Sequence, residues 1–214
     1  MPQCMLWGES FLDKGILEIG SGLGLCGMAA AAAANVFRAT DVEDKSIGRV
    51  VLTDLDDNNI LRLLKKNVES NLGELENGNL SITVEPCDWN HVANNLKGNA
   101  DVQLCCPRGR FNLIIGSALV YVPEHAAACA ETISHYLSRN RFEESKSQAI
   151  IIQVPDRAGF DAFLRRCCEL NLSVSSQVVA EDIILSVENT MLGQQRLLSA
   201  SDYRMYFITR NGLP

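Results

Sequence analysis

The chain has 214 residues, a length that fits one domain. With 47% hydrophobic and 21% charged residues, its composition is that of a globular protein able to bury a sizeable core. A net charge of −7 argues against a general nucleic-acid binder and is compatible with a basic peptide or protein partner. We find no window with the roughly 18 apolar residues needed to span a bilayer, and no secretory signal pattern, so we expect neither a membrane span nor export.

The cysteines and histidines do not indicate a metal site. There are eight cysteines and three histidines, and no two cysteines are spaced C-x-x-C. We therefore expect no bound metal and reduced thiols. Reduced thiols without an export signal are typical of a cytoplasmic protein, or one shared with the nucleus.

Apolar strand patterns and helical patterns alternate along the chain. Short apolar runs predict strands at residues 15–19, 50–53, 80–85, 111–117 and 148–154. Alanine-rich segments and apolar spacings of three and four predict helices at residues 25–35, 56–71, 124–139 and 157–170. Two more strands are predicted without a helix between them, at residues 174–187 and 203–209. Two polar stretches are interpreted as loop insertions, at residues 36–48 and 97–110.

This order predicts an α/β fold. We expect a single Rossmann-like, seven-stranded, mostly parallel sheet with helices on both faces and an antiparallel C-terminal strand. Residues 1–214 are expected to form one domain, in which residues 1–14 are a short segment before the first strand. A ligand of such a sheet lies beyond the carboxyl ends of the strands, where the strand order reverses.

A glycine-rich loop follows the first predicted strand, with the sequence EIGSGLG at residues 18–24. Glycines allow a tight turn and a close approach of the backbone to a ligand, and the next helix points its N-terminus at that ligand. A dinucleotide cofactor stays an alternative, because Gly22, Gly24 and Gly27 match G-x-G-x-x-G. That match begins two residues after Gly20, where the predicted strand ends. The acid at the end of the second strand, Asp54, lies beyond the usual distance of about 20 residues.

Glu18 discriminates between the two cofactors. It precedes Gly20 by two positions and stands at the end of the first strand. A pyrophosphate gains nothing from a nearby carboxylate, whereas the sulfonium and amino groups of S-adenosylmethionine are cationic and do gain. The alternative is a buried carboxylate that accepts hydrogen bonds from loop amides.

Two more acids follow the second and third strands. Asp54 can accept hydrogen bonds from both ribose hydroxyls of a nucleoside, or it can cap the next helix. Asp88 can accept from an adenine amine while Trp89 covers the base. The alternative for that pair is a loop aspartate beside a core tryptophan.

Four segments, in this order, carry a resemblance to a known family: ILEIGSGLGLCGMAAA, VVLTDLDDNNILRLLKKNVESN, CDWN and FNLIIGSALVYVPE. From about Trp7 to Leu137 the chain resembles the seven-β-strand protein methyltransferases of the methyltransferase 16 group, whose characterised members mostly methylate lysines of other proteins. The glycine motif is shared by all class I methyltransferases. The D-W and V-Y-x-x-E motifs narrow the resemblance to this group.

The resemblance implies S-adenosylmethionine as cofactor and a role for each matching position. The implied cofactor-binding residues are Trp7, Glu18, Gly20, Ser21, Gly22, Asp54, Asp88, Trp89 and Ser117. Ser117 and Ala118 match the floor below the cofactor at the end of the fourth strand. Tyr121 matches the aromatic residue of the family's D-x-x-Y motif, which lines the channel for the substrate amine, so Ala118 and Tyr121 are the implied catalytic positions.

The chain departs from the family at two places. Ala118 stands where the D-x-x-Y motif has the acid that helps to orient and neutralise the amine, and residues 1–14 are shorter than the family's cofactor-covering segment. The resemblance implies a monomeric lysine methyltransferase with a protein substrate and neither a nucleic-acid nor a membrane partner. The alternatives are a cofactor-binding pseudo-methyltransferase that acts as an interaction protein, a small-molecule methyltransferase and the dinucleotide enzyme.

Overall fold

The computed structural model describes residues 15–40, 48–57, 59–75, 80–98, 107–137, 147–179 and 203–211. These ranges contain seven strands and five helices. In chain order they are β1 (Ile16–Ile19), α1 (Leu25–Thr40), β2 (Gly48–Asp54), α2 (Ile60–Leu75), β3 (Leu80–Pro86), α3 (Trp89–Leu96), β4 (Leu113–Ser117), α4 (Pro123–Tyr136), β5 (Gln148–Gln153), α5 (Phe160–Glu169), β6 (Leu172–Val178) and β7 (Arg204–Arg210).

The strands form one sheet in the order β3-β2-β1-β4-β5-β7-β6. Strands β1 to β5 pair in parallel, and β7 pairs antiparallel with both β5 and β6. The predicted Rossmann-like α/β fold with an antiparallel C-terminal strand is therefore confirmed. Strand β7 lies between β5 and β6, so β6 forms the edge of the sheet. The order reverses between β1 and β4, and a ligand of this fold class binds at that reversal.

Both faces of the sheet are buried. Leu17 and Ile19 of β1 belong to a core cluster on the side of α3, α4 and α5, whereas Ile16 packs into a second cluster with residues of α1 and α2. Successive side chains of a strand point to opposite faces, so a strand covered on both sides must be apolar at nearly every position. This explains the continuous apolar runs in the sequence.

The first predicted insertion is partly regular structure, whereas the described residues of the second are not. Residues 36–40 continue helix α1, and Gly48 begins β2, so only residues 41–47 of the first insertion stay undescribed. The predicted end of that helix was wrong because the residues after Asn35 include no glycine or proline to stop it. In the second insertion, residues 97–98 form a turn after helix α3 and residues 107–110 precede β4, whereas residues 99–106 lie outside the described ranges.

Helix α3 was not predicted. Its polar sequence, WNHVANNL, is rich in asparagine and therefore has low helix propensity. The carboxylate of Asp88 supplies the missing start signal by accepting hydrogen bonds from the amides of Asn90 at 2.8 Å and His91 at 3.4 Å. The helix buries Val92 and Ala93, and it packs on α4.

Two helices begin later than predicted. Helix α2 begins at Ile60 rather than at residue 56, and helix α5 begins at Phe160 rather than at Arg157. Gly159 precedes α5 with φ of 85°, a left-handed conformation that favours glycine and separates Arg157 from the helix. Arg157 consequently lies in the loop between β5 and α5, beside the end of β4.

In the described ranges, no helix combines the length and the apolar character needed to cross a membrane. Within the same ranges, no group of three or more histidine, cysteine, aspartate or glutamate side chains is arranged to hold a metal ion. Trp7 and the rest of residues 1–14 lie outside the described ranges.

Candidate functional site

A cavity of about 330 Å³ opens at the carboxyl ends of β1 to β4. The lining residues lie at the ends of these strands, in the loops that follow them and at the start of α3, and α4 contributes one side chain. The lining residues are Gly20, Gly22, Asp54, Leu55, Cys87, Asp88, Trp89, Asn90, Ser117, Ala118, Leu119, Tyr121 and His125. The cavity lies at the predicted reversal of strand order, and its volume is in the range of about 300 to 1,000 Å³ usual for small-molecule sites.

Gly20 lets the loop after β1 approach the opposite wall of the cavity. Its φ is 63°, and a Cβ atom at this position would lie 2.9 Å from Cδ2 of Leu119 and 3.4 Å from the ring of Trp89. A side chain at position 20 would therefore be strained and would also displace Leu119. Gly22 has a φ of 55° and open space around it, so only its backbone conformation favours glycine.

The loop is tied to the end of β2 by short hydrogen bonds. The amide of Ser21 donates to the carbonyl of Thr53 at 2.8 Å, and the amide of Thr53 donates to the Ser21 hydroxyl oxygen at 3.0 Å. The Thr53 hydroxyl donates to the carbonyl of Glu18 at 2.7 Å. Ser21 is thus buried behind the loop and does not line the cavity.

Glu18 is buried beneath the loop, with 3% of its surface exposed. Burial raises the pKa of its carboxyl to about 7. Hydrogen bonds from the Ser21 hydroxyl and the Gly27 amide oppose this rise, and the negative charge of Asp54 adds to it. Its Oε2 atom has no hydrogen-bond partner among the described residues. A buried carboxylate with one oxygen left unpartnered favours a cationic ligand nearby, because a positive charge there offsets the cost of ionisation.

Asp54 is oriented by two backbone amides. Gly22 donates to Oδ2 and Leu55 donates to Oδ1, each at 2.7 Å. The alternative role as cap of the next helix is wrong, since α2 begins only at Ile60. Each carboxylate oxygen has two acceptor positions, so both oxygens can still accept a hydroxyl from a ligand in the cavity.

Asp88 and Trp89 form the wall after β3. Both hydrogen bonds that the Asp88 carboxylate accepts from the described chain go to Oδ1, so Oδ2 is available to a ligand. The aspartate is a helix cap rather than a plain loop residue, which fixes its side chain at the cavity wall. Trp89 is half-buried and packs against the core cluster, with its ring near Gly20.

The opposite end of the cavity follows β4. Ser117 is exposed there, and Ala118 has a φ of 52°, a left-handed conformation in which alanine is uncommon. The amide of Ala118 donates to the carbonyl of Ile152 at 2.8 Å, which holds this turn on β5. Tyr121 is 56% exposed and lines the open side of the cavity.

Several site residues could not be predicted from sequence patterns. His125 lines the cavity because Pro123 starts α4 just after Tyr121, and Leu119 packs between Gly20 and Gly116. The guanidinium of Arg157 lies over the Tyr121 ring, with 4.4 Å between its Cζ atom and the ring centroid. No local motif marks Arg157, since its contact with Tyr121 joins two loops that are distant in sequence.

The structure brings most of the predicted site residues to one cavity and places two behind its wall. Glu18 and Ser21 lie behind the loop, and Trp7 lies outside the described ranges. The remaining predicted residues line the cavity, namely Gly20, Gly22, Asp54, Asp88, Trp89, Ser117, Ala118 and Tyr121. Carboxylates at one end and an aromatic ring at the other fit a cationic nucleoside cofactor with an acceptor group beyond it.

A seven-stranded sheet with β7 antiparallel, and acids at the carboxyl ends of β1, β2 and β3 around a glycine loop, defines the class I methyltransferases, whose cofactor is S-adenosylmethionine. The family model of the methyltransferase 16 group, described as lysine methyltransferase, matches residues 6–160. The chain belongs to this family. It is thus an S-adenosylmethionine-dependent methyltransferase by family and by fold.

Solved structures of low sequence identity share the fold. A methyltransferase described as S-adenosylmethionine-dependent from Methanosarcina mazei aligns with a TM-score of 0.57 at 9% identity, covering 100% of this chain and 99% of that one. One from Mesorhizobium loti aligns with a TM-score of 0.54 at 12% identity, covering 96% and 95%. The CcbJ methyltransferase from Streptomyces caelestis aligns with a TM-score of 0.55 at 10% identity, covering 95% and 91%. No curated protein matches the sequence significantly.

Proposed function

We propose that the chain transfers a methyl group from S-adenosylmethionine to a lysine side chain of another protein. The observation that carries the proposal is the open end of the cavity, where Tyr121 is 56% exposed next to the exposed Val122 and His125. A long side chain presented by a protein surface can reach the cavity floor through such an opening. The family description, lysine methyltransferase, supports the same acceptor.

The cofactor is proposed to lie along the wall formed after β1, β2 and β3. When bound, S-adenosylmethionine supplies a methyl group on a positively charged sulfur. Glu18 would favour this charge from behind the loop, Asp54 would accept the ribose hydroxyls, and Gly20 leaves room for the ligand against the loop. Asp88 and Trp89 would bind the adenine end through the free Oδ2 atom and the indole ring.

At the acceptor end, the residues after β4 would position the amine and keep it neutral. A free lysine amine has a pKa of about 10.4 and must lose its proton before it can attack. Removal from water in the cavity between Leu119 and Tyr121 favours the neutral form, and the proton leaves to solvent. A strong base is not required for this step, so the absence of an acid at Ala118 is compatible with transfer.

The same absence motivates a second candidate, a pseudo-methyltransferase that binds the cofactor and a partner protein without transfer. Ala118 places no carboxylate at the acceptor end, and His125 is the titratable group there besides Tyr121. This candidate predicts that S-adenosylmethionine binds normally. It also predicts that no protein becomes methylated.

Labelling with radioactive S-adenosylmethionine in a cell lysate tests the proposal. We expect one or a few labelled proteins with the full chain, and none with Asp54→Ala, which removes the contacts of the carboxylate with Gly22 and with the ribose. Acid hydrolysis of the labelled protein should release methyl-lysine. Cofactor binding by calorimetry without any labelled protein would favour the pseudo-methyltransferase, and label in small molecules alone would contradict both candidates.

A further inference from the structure

The loop between β5 and α5 is fastened to the turn that carries Tyr121. The side-chain amide of Gln153 donates to the carbonyl of Val120 at 3.3 Å, and Gln153 is buried. Gly159 packs so closely that a Cβ atom there would lie 2.6 Å from the Cα of Pro123. These contacts hold Arg157 and Tyr121 in a fixed relation at the mouth of the cavity.

Arg157 is a cation without an acidic partner in the described chain. Its guanidinium stacks on the Tyr121 ring at 4.4 Å from the centroid, and it forms no salt bridge with any described residue. The nearest acids in sequence, Asp156 and Asp161, form no salt bridge with it. Burial raises the pKa of Tyr206 on β7, the charge of Arg204 lowers it, and the charges of Asp156 and Asp161 raise it.

The two ends of the cavity therefore differ in charge. Asp54 and Asp88 line the cofactor end, whereas no carboxylate lines the acceptor end among the described residues. Arg157 lies beside the acceptor end, half-buried and with its guanidinium over the Tyr121 ring. A guanidinium stacked on an aromatic ring keeps its N–H donors at the edge free to bind a carboxylate.

We propose that Arg157, held on Tyr121, is an anion-binding subsite that recognises an acidic residue close to the acceptor in the substrate protein. The inference rests on the proposed function, since it assumes a protein acceptor at this end of the cavity. A lysine flanked by acids would place its amine beyond Tyr121 and its neighbouring carboxylate on Arg157. The net negative charge of the chain does not prevent an acidic segment from binding here. At physiological salt, the exposed acids of the chain that lie more than about 8 Å from the bound segment are largely screened.

The test uses peptides with one central lysine, flanked by aspartate in one pool and by asparagine in a matched pool. Binding to the full chain is measured by fluorescence anisotropy with saturating S-adenosylhomocysteine. We expect the aspartate pool to bind about tenfold more tightly, as charge-assisted hydrogen bonds of a guanidinium imply. Arg157→Gln should remove the preference, Arg157→Lys should retain part of it, and Arg157→Glu should reverse it in favour of the asparagine pool.

Arg165→Gln is the matched control, because Arg165 is exposed on α5 and its loss changes the net charge equally. It should leave the preference unchanged. Thermal unfolding and calorimetry with S-adenosylmethionine should be the same for all variants, which separates the subsite from folding and from cofactor binding.

Equal binding of the two pools, no binding of either pool, or a preference that survives Arg157→Glu would overturn the proposal. Tighter, Arg157-dependent binding of an RNA oligonucleotide than of the aspartate pool would overturn it as well. Methyl transfer to the same peptides, measured in separate samples with S-adenosylmethionine in place of S-adenosylhomocysteine, separates the two proposals. Acid-dependent binding without any methyl transfer would support the subsite and contradict the proposed enzymatic activity. Methyl transfer without a preference for acidic peptides would support the activity and contradict the subsite.

Discussion

The pH dependence of cofactor affinity is the sharpest consequence of the buried Glu18. Its pKa is raised from 4.5 to about 7 because it is buried, so the carboxyl is largely neutral at pH 5.5 and largely ionised at pH 7.5. If the ionised form binds the cationic cofactor, affinity rises about tenfold per pH unit below 7 and levels off above it. Between pH 5.5 and 7.5 the total change is on the order of 20-fold.

Calorimetric titration with S-adenosylmethionine between pH 5.5 and 7.5 measures this change. The titration stops at pH 7.5 because the amino group of the cofactor itself has a pKa of about 8. Glu18→Gln keeps the shape of the side chain and should hold the affinity near the weak value of the unchanged protein at pH 5.5. Glu69→Gln, an exposed substitution on α2, is the control and should keep the full pH dependence.

The raised pKa of Glu18 also makes the stability of the fold depend on pH. The folded pKa is higher than the unfolded one, so the stabilisation from the neutral carboxyl is fully present below pH 4.5 and is lost as pH rises to about 7. The shift corresponds to about 3 kcal/mol. Without cofactor, Glu18→Gln should therefore raise the free energy of unfolding at pH 8 by up to about 3 kcal/mol.

A cofactor affinity that does not change with pH and is equal in the unchanged protein and in Glu18→Gln would refute the role assigned to Glu18.

Three further substitutions test the site and its support. Gly20→Ala should cost about 1 to 2 kcal/mol of stability from the left-handed backbone alone and weaken cofactor binding by pushing on Leu119, as chemical unfolding and calorimetry can measure. Ala118→Asp should raise the rate of methyl transfer by about tenfold or more, because aspartate tolerates the left-handed backbone and adds the missing carboxylate. Ala118→Asn should not raise it, and equal rates for the two variants would contradict a role for a carboxylate at this position. Glu131→Ala should lower the unfolding free energy by about 2 kcal/mol, because the buried carboxylate pairs with Arg166 at 2.6 Å, while cofactor affinity should be unchanged.

Much of the fold could be predicted because its pattern is local. Strands covered on both faces must be apolar throughout, and β1, β2, β4 and β5 were placed within a few residues for this reason. Helix α3 could not be predicted because its sequence has a low helix propensity. Its stability comes from the Asp88 cap and from packing on α4. The late start of α5 escaped because Gly159 and its contact with Pro123 decide it.

The acids at the carboxyl ends of β1, β2 and β3 could be proposed from the sequence because these ends of parallel strands must meet at one edge of the sheet. Their environments could not, since burial of Glu18 and the amides that orient Asp54 depend on how the loop packs on β2.

What the sequence by itself determined is the fold class, the family and the set of acids and glycines at the cofactor end, because each follows from local spacing and from the end of a strand. Only the tertiary structure decided the charge of the acceptor end. Arg157 and Tyr121 are separated by a helix and a strand, and their 4.4 Å contact exists because β4 and β5 are neighbours whose following loops pack together. A contact between two loops leaves no periodic or spaced signal in a single sequence, since the packing of the whole sheet is what brings the loops together.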